Sequence, residues 1–160
     1  MYKWKKNANN SRGDKMNENI ELVEYLYQNS KMGVYSLEAL INDLKGKDNN
    51  IMPLLNEELK EYEKYVSEAE KIIEKSKYDV KDNNMMSKMS TNMGIKMEVM
   101  KDNSDSAIAH MLIEGTTMGI VDITSKIDKY SDVVDKKILS LAKDYLKFLE
   151  KEIEKLKEYL

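Results

Sequence analysis

The chain has 160 residues, with 26 Lys and Arg against 29 Asp and Glu, a formal net charge of −3 and 41% hydrophobic residues. That is one domain of ordinary size, able to build a core beneath a heavily ionised surface. Six Gly and one Pro are too few for a turn-rich all-β fold, the lack of Cys excludes disulfides, thiolate metal sites and a cysteine nucleophile, and a single histidine, His110, excludes a multi-histidine metal site within one chain.

Residues 1–16 carry Lys3, Lys5, Lys6, Arg12 and Lys15 against Asp14, a net of +4 that leaves −7 for the remainder. No apolar stretch follows these cations, so they do not form a secretory signal. Asn7, Asn9, Asn10, Ser11 and Gly13 favour turns, and 1–16 reads as a disordered basic arm. Such an arm can touch nucleic acid or an anionic membrane, but so few cations give little affinity at cellular salt, and a solvated start is the simpler reading.

From residue 17 the apolar positions recur at helical spacing. Ile20, Val23, Tyr27, Val34, Leu37, Ile41 and Leu44 form a first stripe, with Ser30 filling its one gap. Gly46 ends it as a C-cap, and Pro53 fits only the first turn of the next helix. Leu55, Leu59, Tyr62, Val66, Ala69 and Ile73 make the second stripe, flanked by a solvated run of Glu and Lys, in a helix of about 26 residues or about 39 Å. Then comes a methionine-rich segment in which Met86, Met89, Met93, Met97 and Met100 share one helical face, with Met85 beside it. Asp102 to Asp105 reads as a break and a new N-cap. The following helix carries Ala107, Ile108, Met111, Leu112, Met118 and Ile123, and its small residues Ala109, Gly115 and Gly119 allow close helix approach. Ser131-Asp132 reads as a short turn. Val134, Ile138, Leu141, Tyr145, Leu149, Leu156 and Leu160 mark the last helix, which ends in a run of Lys and Glu with i,i+4 pairs.

The expectation is an all-α fold with long helices near 17–45, 53–78, 105–130 and 132–160. Short loops make the first two and the last two into antiparallel hairpins, and the long crossover between them holds the methionine helix. That is ferritin-like four-helix-bundle connectivity. No stretch of about 18 apolar residues exists, so no membrane span and a cytoplasmic location are expected.

The segments Lys31-Met32-Gly33-Val34, Met93-Gly94-Ile95-Lys96-Met97 and Gly115-Thr116-Thr117-Met118-Gly119-Ile120-Val121-Asp122 resemble those of an uncharacterised ferritin-like four-helix-bundle family of low-GC Gram-positive bacteria, over about 17–160. The resemblance implies the fold and carries no activity with it. The Lys, Asn, Ile and Tyr bias agrees with an AT-rich bacterial source.

A ferritin-type di-iron centre needs two Glu and two Glu-x-x-His pairs, and no Glu-x-x-His occurs here, since Ala107 lies three residues before His110. The carboxylates that remain are Glu114 and Asp122 in phase with Met111 and Met118, Glu38 and Glu58 flanking the first two stripes, and Glu152 in line with Tyr145, Leu149 and Leu156. An inward carboxylate is costly unless it is paired or bound to a cation. One reading is a reduced metal site from Glu38, Glu58 and Glu114 with His110 at its edge. The other is that Glu114 accepts a hydrogen bond from Tyr35, Tyr62 or Ser36 while the rest tilt to solvent and His110 packs at the surface. Thioethers suit Cu(I), but methionines strung along about 21 Å of helix suit packing or a partner surface better, with Met93 and Met97 expected in the core, where Ile95 and Val99 widen the apolar face, and Met85 and Met86 as candidates for a dimer contact. Ser104 and Ser106 lie near His110 only in sequence, no glycine-rich phosphate loop exists, and the acidic body argues against nucleic acid.

The favoured reading is a non-enzymatic binding or assembly module without a cofactor, associating as a homodimer, its physiological ligand open. The alternative is a metal-binding ferritin-like protein that stores or oxidises iron.

Overall fold

The structure is a computed structural model that describes residues 8–81 and 85–160; the side chains of 8–14, 85–87, 89–90 and 92–93 lie outside that description. Five helices follow in chain order: α1 (Ala8–Asp43), α2 (Met52–Ser76), α3 (Met85–Lys101), α4 (Asp105–Tyr130) and α5 (Lys136–Lys157). Among the described residues there is no strand, and no helix is long and apolar enough to cross a membrane.

The punctuation follows local chemistry. Gly46, at φ 78°, takes the left-handed conformation that turns the chain out of α1, and Pro53 sits in the first turn of α2. α2 ends with Lys77 left-handed (φ 54°) and with Tyr78 N–H donating back to Ile73 O at 3.2 Å, a closure that satisfies carbonyls left open at a helix end. Ser104 caps α4 by accepting from Ala107 N–H at 3.2 Å. Two boundaries differ from expectation. α1 begins at Ala8, so the part of the 1–16 arm from residue 8 onward is helical, and residues 1–7 lie outside the described residues. Extending a formed helix avoids the cost of nucleation, which outweighs the weak propensity of Asn9, Asn10 and Gly13. The start is tied down where Lys15 pairs with Asp135 at 3.2 Å and Asn19 Oδ1 accepts from Asp135 N–H at 2.8 Å. Those contacts hold the α4–α5 turn, and α5 starts at Lys136 instead of 132.

Long-range hydrogen bonds fix the helix directions. Asp105, at the start of α4, accepts from Asn49 Nδ2 at 2.9 Å and from the backbone of Asn50 and Ile51 at 3.0 and 3.3 Å, beyond the end of α1. Tyr130, at the end of α4, reaches Glu21 near the start of α1, so α4 runs against α1. Tyr145 donates to Asn29 Oδ1 at 2.6 Å, and with the Asn19–Asp135 bond this makes α5 run with α1. The connection after α2 is held to the middle of α1, where Gln28 Nε2 donates to Lys81 O at 2.7 Å, and α3 climbs back along α1. α1 packs against all four other helices.

The core includes Leu22, Leu26, Leu37, Leu40, Leu55, Ile108, Ile123 and Leu149, and between α2 and α5 it becomes aromatic. Tyr62 meets Phe148 edge-on at 5.0 Å, and Tyr65 meets Tyr145 likewise at 5.0 Å. Gly33 makes room for this cluster, because a Cβ there would lie 2.5 Å from ring carbons of Tyr62.

α3 presents a different face from the one its methionines suggest. Ile95 and Val99 are buried with Thr91 half-buried, four residues apart, whereas Met97 is 54% and Met100 is 78% exposed. The expectation that Met97 is core is therefore corrected; the same expectation for Met93, and the assignment of Met85 and Met86 to a dimer contact, fall on side chains outside the described residues. Two stripes at helical spacing compete along this segment, and the β-branched one docks on α1. Ile95→Val is expected to lower the free energy of unfolding by about 0.5–1.5 kcal/mol, and Met97→Ala to change it by no more than about 0.5 kcal/mol, both read from denaturant midpoints.

Candidate functional site

Glu58 and Glu152 are each only 3% exposed. Glu58 belongs to the inward stripe of α2, three residues after Leu55 and four before Tyr62. Glu152 holds the equivalent place in α5, between Leu149 and Leu156. The helix period therefore carries both carboxyls into the α2–α5 contact, where they come within hydrogen-bonding reach of each other.

One cation compensates them. Lys155 Nζ donates to Glu152 Oε1 at 3.0 Å and to Glu57 Oε1 at 2.7 Å. Glu58 Oε1 and Glu152 Oε2 remain buried without a donor. Two carboxylates so close in a dry site do not both ionise, and a proton on Glu58 that is shared with Glu152 supplies a missing donor. Burial is the main cause that pushes the Glu58 carboxyl up, to about 9, with the Glu152 charge and hydrogen bond adding to it and Lys155 opposing it. The Lys155 ammonium is in turn held well above its ordinary range, first by its hydrogen bond to Glu57. Burial likewise raises the Tyr62 phenol, which lies beside Glu58 and within hydrogen-bonding reach of Thr116, and so keeps it neutral.

Glu58 lies on the wall of a cavity of about 260 Å³ to which all five helices contribute. Its polar lining is Asn29, Ser36, Glu58, Tyr62, Thr91 and Thr116; its apolar lining includes Met32, Leu37, Leu40, Ile95, Met111, Leu112 and Leu149. Gly115 and Gly119 also line it, and a Cβ at Gly115 would meet nothing within 4 Å. Across the α2–α5 contact runs an open groove of about 570 Å³ lined by Glu152, Lys155, Glu57, Lys151 and Asp144 among others. The carboxyl pair thus lies between a half-open, largely apolar cavity, lined by Glu58, and an outer charged groove, lined by Glu152.

The residues singled out from the sequence separate. Glu58 is in the site, whereas Glu38, His110 and Glu114 are exposed and do not line the cavity. Phase with Met118 points Glu114 inward, but Met118 is 71% exposed. α4 instead turns Ile108, Ala109, Gly119, Ile123 and Ile127 inward, and Gly119 lets Leu149 come close. Among the described residues no group of three or more His, Asp or Glu is placed to hold a metal ion. The partnership of Glu58 with Glu152 and Lys155 is what sequence reasoning missed. Its signal was present, since both Glu occupy stripe positions of their helices, but spacing within one helix says nothing about which stripes meet.

Compared with known proteins, the chain matches no family model, no curated protein and no solved structure.

Proposed function

We propose that the chain is a non-enzymatic, ferritin-like helical bundle that acts as a binding module, with the five-helix cavity as its binding site. The ferritin-like reading is supported by the helix directions, two antiparallel hairpins joined by a crossover that returns along α1. The observation that carries the binding reading is the Glu58 carboxyl, buried on the wall of a largely apolar cavity beside a few uncharged polar side chains. Polar groups that converge on an apolar pocket are what small-molecule sites are made of.

The module pairs with a second copy of itself in this reading, supported by the exposed Met97 and Met100 of α3 and the exposed Met118 and Val121 of α4. The metal-binding alternative draws less support, because Glu58 and Glu152 would have to recruit ligands that the described residues do not place beside them.

Methyl-labelled methionine gives the test. Titrating small aromatic fragments is expected to shift the Met32 and Met111 methyl resonances, which line the cavity, and to leave Met97 and Met100 unmoved. If no fragment of fitting size moves Met32 or Met111, the binding reading is wrong. Sedimentation of the same sample at two concentrations reads the association.

A further inference from the structure

We propose that the cavity takes a small organic cation, a primary amine with an apolar body, whose ammonium sits against the Glu58 carboxylate. The inference rests on the cavity being the binding site and names the class of ligand that fits it.

Four observations lead to an amine. The first is the Glu58 carboxyl itself, a buried acid on the cavity wall whose ionised form is stabilised by a cation beside it. The second is the charge balance: Glu57, Glu58 and Glu152 surround one ammonium, Lys155, which Glu57 and Glu152 already occupy, so an anionic ligand meets carboxylates with no free cation among them. The third is the lining, where Met32, Leu37, Ile95, Met111 and Leu149 offer an apolar bed to a hydrocarbon body but no further charged ligands to a metal ion. The fourth is size. A cavity of about 150 Å³ holds benzene, so about 260 Å³ admits a ring with a short aminoalkyl arm.

The position of the pair gives the exchange a route. The ligand arrives as an ammonium ion, and the proton on Glu58 leaves for solvent across Glu152, which lines the outer groove beside the partly exposed Lys155. One positive charge replaces another, no covalent bond to carbon forms or breaks, and the net charge of the site is unchanged. The titratable and charged groups that face Glu58 are Glu152 and Lys155 from α5 and Glu57 and Tyr62 from α2. α1, α3 and α4 present Asn29, Ser36, Thr91 and Thr116, which do not titrate.

The test is calorimetric titration of the full chain with 2-phenylethylamine and with its neutral isostere 2-phenylethanol. The amine is expected to bind up to about a hundredfold more tightly near pH 8 than near pH 6, one tenfold step for each pH unit over which a single proton is exchanged. Buffers of different ionisation enthalpy should count one proton released per amine. The alcohol is expected to bind with no such dependence. Glu58→Gln, close in shape to the protonated acid, should weaken the amine at least about tenfold at the higher pH and abolish its pH dependence. If the alcohol binds as tightly as the amine at both pH values, or if no proton is released, the cavity stands as a binding site and the cation proposal falls. If neither compound binds, both fall. The two wild-type titrations decide the matter even if the variant does not fold.

Discussion

Raising the pH from about 4.5 towards about 9 is expected to destabilise this protein, and Glu58→Gln to remove most of that loss. The Glu58 carboxyl has its ordinary value of 4.5 in the unfolded chain and about 9 in the fold, so the folded state holds a proton that the unfolded state has given up across that window. The stability it contributes is fully present below the unfolded value and is lost as pH rises through the folded value. After allowance for relaxation and water entry around a buried group, the expected loss is on the order of 3 kcal/mol. Glutamine keeps the shape and donates an N–H where the acid shared its proton, so the variant should match the wild type in acid and exceed it in mild alkali. Urea unfolding across that range, on both proteins, gives the two slopes. Parallel slopes would mean that the carboxyl pair is not buried as described.

Gly33→Ala is expected to cost more than the same change at Gly94, Gly115 or Gly119. In an ordinary helix interior this change gains up to about 1 kcal/mol from propensity and from the entropy of the unfolded chain. Here the new methyl would lie 2.5 Å from two ring carbons of Tyr62. The ring has little room to retreat, since Phe148 and Tyr145 pack against it at 5.0 and 6.3 Å. Overpacking of this kind costs about 1–3 kcal/mol or more, and it should outweigh the propensity gain to leave a net loss of about 2 kcal/mol. Gly94→Ala and Gly115→Ala add a methyl where nothing lies within 4 Å, and both should be neutral or stabilising. In a Tyr62→Leu background most of the Gly33→Ala penalty should vanish, and that coupling separates the clash from any other cost.

The long elements could be read from spacing because apolar periodicity, Gly46, Pro53 and Ser104 each act within a few residues of themselves. The start of α1 could not, because Lys15 and Asn19 meet Asp135, on the far side of the sequence. The inward face of α3 was misread for a related reason. Both its methionine stripe and its Thr91-Ile95-Val99 stripe have helical period, and only the surface of α1 chooses between them. At the site, Glu58 was named among the candidates and Glu152 was seen to fall in its helix's stripe, yet Glu114 and Glu38 looked equally good. Met118 misleads about the phase of α4, because a flexible apolar side chain tolerates solvent better than a buried acid tolerates a dry core.

The central place of α1 sets a timetable for the newly made chain. The α1–α2 hairpin closes within a local stretch, but Asn19 and Asn29 meet Asp135 and Tyr145 at a separation of 116 residues. At a synthesis rate of about 5–20 residues per second, that separation is a wait on the order of 10 s. Throughout it, the face of α1 that finally receives α5 has no native cover. The helix that organises the finished bundle is thus the one that spends longest on the ribosome with part of its apolar surface open to water.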